Sequence, residues 1–510
     1  MATAGTKGAE GAKGAGGTAG EKGGRPAGSA PAGGKGGGSR LARYAVVGGV
    51  LLAVLAGCGG ATAGILASEG YLPGDSMREV WGTPAGPRAR EYGNGSWLSG
   101  DTVVRSHAES VTGHDARSGR ERWTFTPPGR ARVCAVSTAA EDGIALVVLG
   151  MYDPTADPAP ADPAPADPAP ADPAPTGSDS AGTGSAPTGS GAGCSTVTAL
   201  SLADGRALWR SGRVPEDTTL QAEHDVVAVG GGLAVVRDED GAWPYARPGE
   251  PGVLRADRAL RALDLRTGAP KWSARLPAGC VPYGVAAGRN QVLALVVCDD
   301  DISLTALDPA NGRVRWTTPL DERQKVMPTQ HDPVLVSADP AVVAVQSLDD
   351  SGSPTFLSFG DDGRPQGRIA SGPANGTLRS PVDEPALTRI AHGRLYTVAE
   401  IDYDDVVSAF DLRSGQRLWR AELDDREDVI GLRVADGRVT ALVDVYGSQG
   451  EDGLVVLDAD TGDERDLRTF PDSVGGSAGE VKALHDFEGR LIAVRWGDGY
   501  FPPLTAYEER

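Results

Sequence analysis

In the stretch ALDLRTGAPKW (262–272), three residues have types that could do chemistry: Asp264, Gly268 and Trp272, spaced four and four. A carboxylate can serve as a base or bind a cation, and an indole can stack on a flat cofactor. Acidic clusters raise the same question: Asp299-Asp300-Asp301, Asp402 with Asp404 and Asp405, and Asp458 with Asp460 and Asp463. Calcium asks for about six to eight oxygens converging from a defined loop, and none of these clusters has the EF-hand pattern. They read as solvated loops. The histidines (107, 114, 224, 331, 392, 485) show neither H-x-x-x-H nor H-E-x-x-H spacing, so no zinc site is expected. G-x-S-x-G does not occur, and Gly230-Gly231-Gly232 lies between Val-rich runs, as a turn rather than a phosphate loop.

Repetition decides the meaning of Asp264, Gly268 and Trp272. GHDARSGRERW carries Asp115, Gly119 and Trp123; ALDPANGRVRW carries Asp308, Gly312 and Trp316; AFDLRSGQRLW carries Asp411, Gly415 and Trp419. ALSLADGRALW keeps Gly205 and Trp209 with Ser201 at the Asp position. VLDADTGDERD keeps Asp458 and Gly462 without the Trp, and LSFGDDGRPQG keeps only Gly363. A catalytic group needs one copy, not seven. The spacing of most neighbouring turn glycines, about 40–50 residues, is that of a propeller, solenoid or array.

The elements that must hold these residues are strands. Between Trp272 and Trp316 stand CVPYGVAAG, QVLALVVC, SLTALD and RVRWTTPL, broken by Gly-Arg-Asn, Asp-Asp-Asp and Asn-Gly. Asn-Gly between two such runs is a hairpin signal, because both central residues need φ > 0. Four strands per period make one propeller blade. The Asp can then accept bonds from turn N–H groups, the Gly can take the left-handed position, and the Trp can lock neighbouring blades.

The pattern A-x-D-x-x-T-G-x-x-x-W, as in Ala262, Asp264, Thr267, Gly268 and Trp272, resembles the tryptophan-docking repeat of the PQQ-binding-like propellers. That group holds both quinoprotein alcohol dehydrogenases and BamB-type assembly lipoproteins. The resemblance covers about residues 76–508 and implies an all-β, eight-bladed propeller, with seven blades as the alternative. MREVWG (77–82) offers an orphan outer strand ending near Trp81, and LTAY near the C-terminus offers a third strand. Joining them in one blade would close the ring and remove both edges.

Cys134, Cys194, Cys280 and Cys298 fall at matching places in two blades, so disulfides Cys134–Cys194 and Cys280–Cys298 are expected. Residues 152–193 insert four ADPAP repeats and a Gly/Ser/Thr tract into the first of these blades, a disordered loop tolerated within the propeller (76–510).

The N-terminus has a different character. Residues 1–43 hold seven Lys/Arg against two Glu and almost no apolar side chain, a disordered tail. With a net charge of −20 overall, the remainder stands near −25, and an acidic body of that kind repels nucleic acid. Residues 44–67 are uncharged and long enough to span a bilayer, followed by a linker at 68–75. Basic residues before the span put the tail in the cytoplasm and the propeller outside. Leu55-Ala56-Gly57-Cys58 also resembles a lipoprotein box, which would make Cys58 a lipidated N-terminus instead.

Quinoprotein dehydrogenases hold PQQ against calcium and typically carry a disulfide between adjacent cysteines. This sequence has no Cys-Cys, and aromatics make up only 5% of it. The expectation is therefore a non-catalytic, membrane-tethered binding or scaffolding module with a protein or envelope partner and no cofactor. The alternatives are a PQQ- or quinone-dependent oxidoreductase and a ligand-sensing ectodomain.

Overall fold

In a computed structural model, the described residues are 77–85, 95–129, 131–151, 194–211, 227–238, 259–277, 280–298, 301–320, 333–346, 353–381, 384–423, 427–445, 453–470, 480–496 and 502–509. The tail (1–43), the apolar segment 44–67 with Cys58, the linker 68–75, the insertion 152–193, Asp299 and Asp300 lie outside them. Among the described residues no helix is long and apolar enough to cross a membrane.

Eight antiparallel sheets follow one another along the chain. Blade 4 is typical, with an inner strand Cys280–Ala287, a second strand Val292–Cys298, a third strand Asp301–Leu307 and an outer strand Val314–Leu320. Seven sheets have four strands, as expected. The second strand of blade 4 is buried along nearly its whole length. Such a run of Val and Leu needs cover on both faces, and the neighbouring blades supply it. The core accordingly lies between blades: Leu293, Leu295 and Leu304 of blade 4 pack with Leu335, Val343 and Leu357 of blade 5.

Blade 8 closes the ring. Its inner three strands are Glu480–Phe487, Arg490–Trp496 and Leu504–Glu509, and its outer strand is Met77–Gly82 from the other end of the propeller. Trp81 pairs with Ala506, and Met77 with Glu509. Pairing the two ends in one sheet leaves no unpaired strand at the seam. The eight-blade alternative is the one observed.

Blade 6 departs from the plan. Its inner strand comes in two pieces, Thr377–Leu378 and Thr388–Ala391, both paired with Arg394–Ile401. Between the pieces the chain leaves the sheet and makes a short 3-10 turn at Pro385–Leu387. That turn packs against the inner strands of blades 7 and 8.

Candidate functional site

The repeat residues build one device, used around the ring. The third and outer strands meet in a five-residue turn, in which the Gly268 N–H donates to the Asp264 carbonyl at 2.8 Å. The Asp264 carboxylate accepts from the Thr267 N–H at 3.0 Å and hydroxyl at 2.8 Å. Asp115, Asp308, Asp411 and Asp458 accept equivalent turn N–H groups. The Thr267 hydroxyl and then Lys271 hold the Asp264 carboxyl below its usual range. Arg315 does the same for Asp308. In blade 2 the roles are exchanged: Ser201 stands at the Asp place and donates to Asp204, which it holds low.

Gly268 sits at φ 70° and Gly312 at φ 71°, where only glycine is unstrained. Space is as decisive as angle. A Cβ on Gly268 would stand 2.7 Å from the Trp209 ring, and one on Gly312 would stand 2.5 Å from Trp272. Each tryptophan thus docks on the turn glycine of the next blade: Trp81 on Gly119, Trp123 on Gly205, Trp209 on Gly268, Trp272 on Gly312, Trp316 on Gly363 and Trp419 on Gly462. The indole N–H of Trp209, Trp272 and Trp419 donates across the same seam, at 2.8, 2.8 and 3.0 Å.

Sequence reasoning missed the cation three residues beyond the glycine. Arg122, Lys271, Arg315 and Arg465 pair with the motif aspartates. Each occupies a bulge in the outer strand, between the residue paired to Leu or His and the residue at the tryptophan place, which is Asp466 in blade 7. A bulge re-aims the side chain, which turns the cation back toward the carboxylate. The signal was present in the sequence as a basic residue preceding the Trp or Asp at the end of the motif.

Two blades lack the tryptophan, for different reasons. Blade 7 carries Asp466 there, and the next blade is the seam, where Glu509 and Met77 replace a turn; no glycine awaits docking. Phe470 meets Tyr507 edge-on at 4.9 Å and packs with Met77 instead. Blade 5 carries Gly367, whose backbone lies against the turn of blade 6. A Cβ on Gly415 would stand 2.6 Å from the Arg368 carbonyl. The Gly367 N–H donates to the buried Ser358 hydroxyl at 2.9 Å. Gly367→Ala is therefore expected to destabilise by about 1–3 kcal/mol through overpacking; an unchanged denaturation midpoint would contradict the backbone contact.

The axis gathers what the repeat does not explain. Arg389, on the second piece of the blade 6 inner strand, donates to the carbonyls of Pro385 and Thr388 at 2.7 and 2.8 Å. Burial lowers its guanidinium to about 10. His485, on the blade 8 inner strand, is held neutral at about 4 by burial and then by the charge of Arg389. Its Nε2 lies 2.6 Å from the Ser96 hydroxyl on the blade 1 inner strand. Beside the 3-10 turn, Arg379 pairs with the buried Asp405 at 2.7 Å, and Asp405 also accepts the Val429 N–H at 2.9 Å. A serine–histidine contact invites a nucleophilic reading, but a neighbouring guanidinium opposes the imidazolium that such catalysis forms.

The family model described as "Outer membrane protein assembly factor BamB" matches residues 242–348 and 370–499. That match spans somewhat less than half of the chain. The docking geometry and the eight closed sheets make the fold an eight-bladed β-propeller that resembles that family in part of its sequence. BamB from Moraxella catarrhalis is similar in structure, with 13% identity and a TM-score of 0.42 over 85% of this chain and 99% of that one. The quinohemoprotein alcohol dehydrogenase ADHIIG from Pseudomonas putida HK5 gives 12% and 0.44 over 85% and 76%. The quinohemoprotein alcohol dehydrogenase from Comamonas testosteroni gives 12% and 0.43 over the same shares. No curated protein matches the chain in sequence.

Among the described residues, no group of three or more His, Cys, Asp or Glu is placed to hold a metal ion. Asp458 serves its turn and Asp405 its ion pair, so these carboxylates are already engaged. Cys280 and Cys298 form the expected disulfide, directly opposite each other on adjacent strands. Cys134 is disulfide-bonded too; the side chain of Cys194, its expected partner, lies outside the described residues.

The remaining acidic cluster ends in an exposed aromatic. The hairpin between the second and third strands of blade 6 turns at Asp402 and Tyr403, with φ of 54° and 76°. Tyr403 is 92% exposed. It lies on the face of the second-to-third-strand connections, opposite the motif turns.

Proposed function

We propose that this propeller is a non-catalytic binding scaffold, tethered to a membrane on the extracytoplasmic side, that holds a protein partner through its blade 6 hairpin. Tyr403 carries the reading. Two consecutive left-handed residues favour Asn-Gly, and a bulky side chain there costs about 1–2 kcal/mol. Nothing in the fold is gained in return, because the ring stands in solvent. Tyrosine is a preferred interface anchor, and Asp402 and Asp404 beside it favour a partner with basic side chains. The family match to an assembly-factor description supports a protein partner over a small-molecule substrate.

Tyr403→Gly is expected to move stability and binding in opposite directions. Relief of the left-handed strain should stabilise the propeller by up to about 1 kcal/mol. A photo-crosslinker placed at 403 in the full-length chain should label a membrane-associated protein. Absence of any such adduct would sink the scaffold reading, as would dye-linked turnover of an alcohol with added PQQ and Ca²⁺. The anchor is a separate matter of mass: an intact N-terminus supports a span at 44–67, and cleavage before a lipid-bearing Cys58 supports the lipoprotein.

A further inference from the structure

We infer that the propeller axis carries a binding site for a small oxyanion, a carboxylate or phosphate, formed by Arg389, His485 and Ser96. This goes beyond the scaffold reading and does not depend on it. The three residues come from the inner strands of blades 6, 8 and 1. Ser96 and His485 meet where blades 8 and 1 adjoin, and the 3-10 turn in the broken inner strand of blade 6 reaches the inner strands of blades 7 and 8. The same turn orients Arg389, since the Pro385 carbonyl accepts one of its N–H groups.

Charge accounting identifies the ligand. Among the described residues, both bonds of Arg389 go to carbonyls and none to a carboxylate. Among the described residues, four acidic side chains on nearby elements are engaged elsewhere. Asp486 pairs with Arg433 at 3.2 Å, and Asp405, Glu400 and Glu384 face Arg379 at 2.7, 3.5 and 4.0 Å. Arg389 is partly buried, and a partly buried guanidinium is stabilised by a counter-charge. A guanidinium has five donors in a planar fork that matches two oxygens of one anion. Two of its bonds are made here, which leaves donors for a ligand. His485, held neutral, and the Ser96 hydroxyl can add hydrogen bonds without a second charge to satisfy. The body of the chain is strongly acidic, so a polyanion is repelled while a small anion can enter.

The test uses thermal unfolding of the full-length chain at constant ionic strength, with chloride replaced by inorganic phosphate in one arm and by acetate in the other. At concentrations about twentyfold above Kd, Tm should rise by about 2 °C in at least one arm. The arm that responds names the source, phosphate or carboxylate. Arg389→Gln should abolish the rise and Ser96→Ala should weaken the anion about tenfold. A rise that persists in Arg389→Gln, or no rise in either arm for the unaltered chain, overturns the site. Should Arg389→Gln fail to fold, Arg389→Lys keeps the charge and removes the fork. Unchanged anion affinity in that variant overturns the proposal, and a loss of about tenfold supports it.

Discussion

Replacing Trp419 with alanine is expected to destabilise the propeller by about 3–5 kcal/mol, the usual loss for a large buried aromatic. The ring is 7% exposed and packs in the core shared by blades 6 and 7. It lies against Gly462, where an added Cβ would stand 2.5 Å from the ring, and 6.0 Å from the centroid of Tyr396. Blade 6 has no partner tryptophan arriving from blade 5, where Gly367 stands, so the seam after blade 6 cannot lean on a tightened seam before it. A second comparison separates the ring from its N–H. The Trp419 N–H donates to the Ala459 carbonyl at 3.0 Å, whereas the buried Trp123 N–H has no partner among the described residues. Trp419→Phe should therefore cost about 1 kcal/mol more than Trp123→Phe, since only the first loses a hydrogen bond. Denaturant midpoints measure both. Equal losses from the two phenylalanine variants would show that the seams are held by ring packing alone.

Repetition made the fold legible. Asp264, Gly268 and Trp272 recur often enough that turn, strand order and docking partner could be read before any coordinate, and Trp81 with LTAY foretold the closing blade. The exchange of Ser201 and Asp204 was hidden, because a position-by-position comparison scores it as a loss. The cation at the bulge was hidden too, since its meaning depends on a register shift that sequence spacing does not display. The axis was the least legible part. Ser96, Arg389 and His485 lie far apart in the sequence and share no motif; Ser96 and His485 meet where blades 1 and 8 adjoin, and the turn beside Arg389 reaches blade 8 because blade 6 abandons the repeat after Arg379. A repeat reading finds what blades have in common. A site built from one blade's departure leaves no periodic trace.

Acid should weaken the propeller before its carboxylates titrate. His485 titrates near 4 in the folded chain, against 6.5 for a free imidazole, because burial and then Arg389 disfavour its charged form. Between those values the unfolded chain takes up a proton that the folded chain refuses. Stability is thus full above pH 6.5 and falls as pH drops toward 4, by about 3 kcal/mol at most for this one residue. His107 and His114 are also lowered, chiefly by burial, and add to the same slope. The turn carboxylates have the opposite window. Asp264 and Asp308 lie below 3.8, so their contribution is present above that value and lost only as pH falls through their folded range. Loss between pH 6.5 and 4.5 therefore belongs to histidine. His485→Gln should flatten most of it in urea titrations at pH 7.5 and 5; an unchanged slope would remove His485 as the cause. An oxyanion beside Arg389 would offset the guanidinium and let His485 hold its proton at higher pH. The same titration in phosphate or acetate should then be shallower in the unaltered chain and unaffected in Arg389→Gln, which ties the acid response to the axis rather than to the seams.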